Sequence, residues 1–149
     1  MVRVWNHDSE RRDKIREDIM NRLRRYRHKL AEYHACRDLY NELYPSGTHT
    51  LSGMPPAQND TYEPERWAQR RWDMRERMNK SLDDMLTALE DTEKLTESLD
   101  GNEKAVIVRR YFLGETMGEI EEYFGIEHTW CSIIHKRAIE KLVKKEFDK

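Results

Sequence analysis

The sequence predicts an all-α fold: a long amino-terminal antiparallel helical hairpin, coiled-coil-like, followed by a carboxy-terminal three-helix, helix-turn-helix domain. Apolar residues recur at alternating spacings of four and three over residues 9–44, the signature of a coiled-coil seam. No segment shows the alternation of β-branched residues that a strand requires. The four Pro and six Gly fall mostly in two loop-like stretches instead of interrupting the periodic segments. With 37% apolar and 38% charged residues in 149, the chain can furnish narrow helical seams but not a broad globular core.

The first helix is expected from about Ser9 to Tyr44, with Ile19, Leu23, Tyr26, Leu30, Tyr33, Tyr40 and Tyr44 as its seam. Arg37 takes the seam position between Tyr33 and Tyr40, and Leu39 and Leu43 drift to a neighbouring stripe, so a hairpin fits better than a strict zipper. Residues 45–60 hold three of the four prolines and two glycines and read as a connector. Pro64 suits the first turn of a second helix running to about Ser98, with Trp67, Met74, Met78, Leu82, Met85, Leu89 and Leu99 on its inner side. Two antiparallel helices of roughly 35 residues, about 50 Å each, enclose little interior. Trp5, Trp67, Trp72 and the seam tyrosines can supplement it, or a second copy can complete a four-helix bundle, so residues 1–99 are expected to form a homodimer.

Residues 100–149 read as a separate domain. Asp100 and Glu103 form a cap-like pair ahead of a helix starting at Asn102, with Val106, Ile107, Tyr111 and Phe112 on its apolar face and Gly114 at its end. Thr116 and Glu119 stand at the spacing of a capping box, so a short helix begins there and turns Ile120 and Phe124 inward. Gly125 supplies a turn that favours positive φ, and Ile126 plugs the corner. The last helix starts near His128 and faces Cys131, Ile134, Ala138 and Leu142 inward, leaving its other side free for presentation.

Composition and charge exclude several classes. Cys36 and Cys131 lack zinc spacing, the six His lack ligand spacing, and there is no Gly-rich phosphate loop or nucleophile constellation. No enzyme, cofactor or metal is expected. There is no secretory apolar run and no stretch of eighteen apolar residues, so the expectation is no membrane association and a cytoplasmic setting. The net charge of −2 argues against a non-specific polycation. Within residues 101–149, however, Glu115, Glu119, Glu121 and Glu122 gather on one helix, and Lys136, Arg137, Lys141, Lys144 and Lys145 on the next. The cluster of Arg22, Arg24, Arg25, Arg27, His28 and Lys29 can add phosphate contacts in trans or lie along an acidic partner surface, but pairing with Asp83, Asp84, Glu90, Asp91 and Glu93 of the second helix is the plainer explanation.

The string YFLGETMGEIEEYFGIEHTWCSIIHKRAIEKL, with its leading helix from Glu103, resembles region four of bacterial sigma factors, which reads the −35 promoter element. The whole layout, with Gly53, Met54 and Pro55 in its loop, is similar to phage and prophage transcriptional regulators of the ArpU type, implicated in late-gene control. The resemblance implies a sequence-specific regulator of double-stranded DNA in a bacterial host and leaves contact with host RNA polymerase open. It departs from the pattern at Glu121, where a small residue is usual between the helices, and at Glu127, where a Ser-like cap is usual; the second change weakens the cap by about 1 kcal/mol. No counterpart of the promoter-melting sigma regions is present.

Carried over by position, the resemblance directs His128, Thr129, Ser132, Ile133 and Lys136 outward to the major groove, where each base pair shows a distinct pattern of donors, acceptors and methyls. Arg137 and Lys141 are expected on the phosphate backbone. Thr116 caps its helix and can also offer that helix end to a phosphate. Trp130 either stacks on the backbone or packs on the hairpin. His135 is expected to pack or be solvated, Cys131 to lie in the core, and the basic run after Lys136 either to meet DNA or to complement the helix dipole. Two other functions stay open: a DNA-recognition subunit of a phage packaging machine, similar to small terminases, and an RNA polymerase-binding interaction module.

Overall fold

The computed structural model describes residues 2–45 and 64–149, with side chains from residue 7 onward. The described residues form α-helices without strands: α1 (Val2–Leu43), α2 (Pro64–Thr96), α3 (Gly101–Ile107), α4 (Met117–Phe124) and α5 (His128–Phe147), with a π-helical turn over Val108–Phe112. Most of the expected connector, including Gly53, Met54 and Pro55, and the Trp5 side chain lie outside the described residues.

The chain divides into two compact units, Met1–Arg27 with Ala88–Lys149, and His28–Thr87. In the first, one apolar cluster joins Ile19 and Leu23 of α1, Leu95 of α2 and Leu99 to Ile107, Tyr111 and the α5 residues Ala138, Ile139, Leu142 and Val143. A single core thus draws on residues from both sides of Leu99. Ile19 and Leu142 are completely or almost completely buried, so truncating either to alanine should cost about 2–5 kcal/mol. Polar contacts frame this core. Arg22 makes a bidentate pair with Asp91 at 3.0 and 2.7 Å, as expected of the basic stretch, and holds that carboxyl below its ordinary pKa. Arg16 binds Glu140 of α5 at 2.8 Å, and the Arg11 and Arg12 guanidinium groups lie over the Phe147 ring.

Several local details differ from expectation. Helix α1 starts at Val2 instead of Ser9, although of residues 2–8 only Arg3 is a strong helix former. Asp100 occupies the N-cap of α3 with extended φ −140° and ψ 170°, but its carboxylate makes no capping bond and the helix starts one residue early, at Gly101. α3 then runs into the π turn, which ends ahead of Gly114 at φ +70°. Thr92 and Thr96 of α2 are buried although polar, because their hydroxyls donate to Ala88 O at 2.8 Å and Thr92 O at 3.0 Å within their own helix.

The second unit buries few of its described residues. Among its described residues only Tyr40 and Tyr44 are buried. The Tyr40 hydroxyl accepts from Arg71 at 3.4 Å and Arg75 at 3.0 Å, which lowers its pKa, and Tyr44 packs 5.0 Å from the half-buried Trp67 ring. Leu39, Leu43, Trp72 and Leu86 remain exposed.

Candidate nucleic-acid interface

The turn between α4 and α5 is built from local chemistry. Thr116 takes φ −73° and ψ 161°, and its Oγ1 accepts from the Glu119 amide at 3.2 Å. Only this half of the capping box forms; the Glu119 carboxylate makes no return bond. At the other end Gly125 adopts φ 64° and ψ 31°, and the amides of Gly125 and Ile126 both donate to Glu121 O, at 2.8 and 3.2 Å. A side chain at this φ would be strained, which is why glycine closes the helix. Glu127 stands at the α5 N-cap in extended conformation without a side-chain capping bond. Val106, Ile120 and Cys131 form the buried seat of the turn, with Met117, Phe124, Ile126 and Ile134 packed around them. Burial also pushes the Cys131 thiol up, away from the reactive thiolate.

On this seat α5 presents more than one surface. Cys131, Ala138, Ile139, Leu142 and Val143 are buried, whereas His128, Thr129, Trp130, Ser132, Ile133, Lys136, Arg137 and Lys141 are exposed, as is Thr116 on α4. At about 100° per residue, Thr129, Ser132, Ile133 and Lys136 share one outward arc. Trp130, Arg137 and Lys141 lie roughly a third of a turn away, on the α3 side. There Trp130, 53% exposed, and Arg137 line a cavity of about 440 Å³ with Ile126, Ile134 and the residues 100–103. Trp130 therefore packs toward the start of α3 in its own unit. Lys141 Nζ meets Glu103 at 2.7 Å, so that ammonium already has a carboxylate partner. His128 is also engaged, by a contact from its Nδ1 to the Glu121 carboxylate.

Carboxylates at and ahead of α4 have partners. Glu121 faces His128, and Glu115 binds Arg109 at 2.9 Å while the same guanidinium lies over the Tyr123 ring. On the other flank of α5, His135 is half-buried with its Nε2 2.8 Å from the Tyr111 hydroxyl and the two rings stacked at 5.8 Å. Burial, with the charges of Arg110 and Arg24, lowers its pKa. His135 is a packing residue of this unit.

Two arginines act on His135 from nearby. The basic stretch already offers Arg24 as one of several phosphate contacts, whereas nothing in the sequence marks Arg110. Their proximity arises from the packing of α1 and the π turn beside α5. Among the described residues no group of His, Cys, Asp and Glu is arranged to hold a metal, and no helix is long and apolar enough to cross a membrane. No protein family, curated protein or solved structure matches the chain.

Proposed function

We propose that this chain is a sequence-specific regulator of transcription that binds double-stranded DNA, with α3–α5 acting as a helix-turn-helix and α5 as its reader. The observation that carries the reading is the outward arc of Thr129, Ser132, Ile133 and Lys136, exposed together on a helix anchored by its opposite side. An α-helix fits the major groove, and the arc holds hydroxyls for base edges or phosphates, an apolar group for a thymine methyl, and an ammonium for guanine or phosphate. Exposed Thr116 lies at the amino end of α4, whose free amides favour a phosphate. The resemblance to sigma region four and to ArpU-type regulators extends the proposal to phage or prophage late genes.

In this reading α1 and α2 form an antiparallel hairpin that associates with a second copy. The few buried residues among those described in 28–87, and the exposed Leu39, Leu43, Trp72 and Leu86, support that arrangement. Dimerisation would join two weakly binding modules on one duplex and raise the effective concentration of the second.

A second reading is favoured by the cavity beside Trp130. An apolar wall with an exposed indole and an acidic rim suits a protein segment, which would make the same fold a partner-binding module. Selection of genomic fragments by the purified protein, beside a Thr129/Ser132/Lys136→Ala variant, separates the two. Enrichment of a defined site by the wild type alone supports the regulator; equal, featureless recovery by both contradicts it.

A further inference from the structure

Unit 1 contains many cations, and most of those described in contact are tied to a carboxylate or an aromatic ring. Arg16 binds Glu140 and Asp13, Arg22 binds Asp91, Arg109 binds Glu115, and Lys141 binds Glu103. Around the loop of residues 113–116, between the π turn and α4, the pattern changes. Arg27 Nη1 donates to the Phe112 carbonyl at 3.3 Å, and Arg110 Nη1 donates to the Glu115 carbonyl at 3.3 Å. A carbonyl orients a guanidinium but does not cancel its charge. Arg24 is exposed and, among the described residues, bonded to no carboxylate.

Arg27 and Arg110 are held in place by these bonds. The Tyr26 ring meets Phe112 edge-on at 5.6 Å, and Leu23 is fully buried, which fixes this part of α1 against the π turn. The Arg27 guanidinium lies so close over Gly114 that a Cβ there would come within 2.5 Å of it. Arg24 and Arg110 both act electrostatically on Tyr111 and His135. His135 immediately precedes Lys136 on α5, and Thr116 closes the loop at the start of α4.

We propose that Arg24 and Arg27 of α1, with Arg110, form a phosphate clamp that grips the backbone of the duplex beside the groove entered by α5. The inference rests on the DNA-reading function proposed above and adds to it a binding surface from the amino-terminal helix, outside the helix-turn-helix. Guanidinium groups that no carboxylate neutralises match the charge of backbone phosphates, and their contribution is independent of sequence. The clamp makes α1 part of the DNA-binding surface.

The test is the affinity of full-length protein for its selected duplex over a salt series, comparing wild type with Arg24→Gln, Arg27→Gln and Arg25→Gln. Arg25 is the control, an exposed arginine of the same helix whose field acts on Asp91. Arg24→Gln and Arg27→Gln should each lower the slope of log K against log salt by about 0.9 and weaken all sequences alike, with base preference unchanged. Arg25→Gln should leave the slope unchanged. Among the described residues Arg24 makes no hydrogen bond or ion pair, so its variant should melt like the wild type and keeps the test clear of misfolding. Specific binding by wild type with an unchanged slope in Arg24→Gln overturns the clamp alone, as does an equal fall in Arg25→Gln. Failure of the wild type to bind any duplex overturns the clamp and the DNA-reading function together.

Discussion

The Tyr111 hydroxyl stands 2.8 Å from His135 Nε2, and this bond ties the π turn to the middle of α5. Tyr111 is buried and its hydroxyl also contacts the Met20 sulfur at 3.6 Å, so three segments meet at one phenol. Tyr111→Phe leaves the half-buried imidazole without that partner and should cost about 1–3 kcal/mol. Thermal or urea unfolding checks this, and an unchanged midpoint would show that water replaces the phenol at no cost.

The same pair gives a pH dependence. His135 has its pKa lowered in the folded protein, chiefly by burial, so the unfolded chain takes up its proton first as pH falls. Stability from this group is therefore complete above the unfolded value of about 6.5 and is lost as pH falls through that value toward the folded pKa. His135→Gln should flatten the stability profile below about pH 6.5. An identical profile in the variant would assign the loss to other groups.

Gly114 and Arg27 should be coupled. Gly114→Ala places a side chain at φ +70° and drives its Cβ against the Arg27 guanidinium, which must then release the Phe112 carbonyl. The backbone strain alone is about 1–2 kcal/mol. Gly125→Ala, at φ +64° with open space around it, should show the strain without the collision. In a double-mutant cycle, Arg27→Ala should recover part of the Gly114→Ala loss; strict additivity would contradict the contact.

The helix caps offer a paired test. Thr116→Ala removes an observed capping bond and should destabilise by about 1 kcal/mol, whereas Glu127→Ser can install a missing one and should stabilise by a similar amount. Melting curves of both variants check the signs; a neutral Glu127→Ser would mean that the Glu121 and His128 contact already fixes this end.

The periodic apolar seam was legible in the sequence because burial repeats with the helix: Ile19, Leu23, Tyr40 and Tyr44 are all buried. Thr116 and Gly125 were legible because a cap and a left-handed turn are set by a few neighbouring residues. Thr92 and Thr96 were hidden because a hydroxyl that bonds its own helix can enter a core without a partner elsewhere. The π turn has no local signature in VRRYF, and Asp100 has the composition of a cap without its bond. At the candidate interface, spacing indicated which side of α5 faces inward, and the resemblance supplied the residues of the outward arc. It could not reveal that Lys141 meets Glu103, that Trp130 and Arg137 turn toward α3, or that α1 brings Arg24 near His135. Those relations depend on how segments far apart in the chain pack together.

The central claim is that α5 reads bases through its outward arc, and Lys136 tests it most directly. Wild type and Lys136→Ala should be taken in parallel through selection from randomised duplexes, with affinities measured on the winning sequence and its single-base variants. The account predicts that the wild type selects a defined site, and that Lys136→Ala costs about 1–3 kcal/mol there while relaxing preference at one position. The same defined site, with preference at every position unchanged in the variant, would contradict base reading by Lys136, and no defined site for the wild type would contradict the reader helix itself.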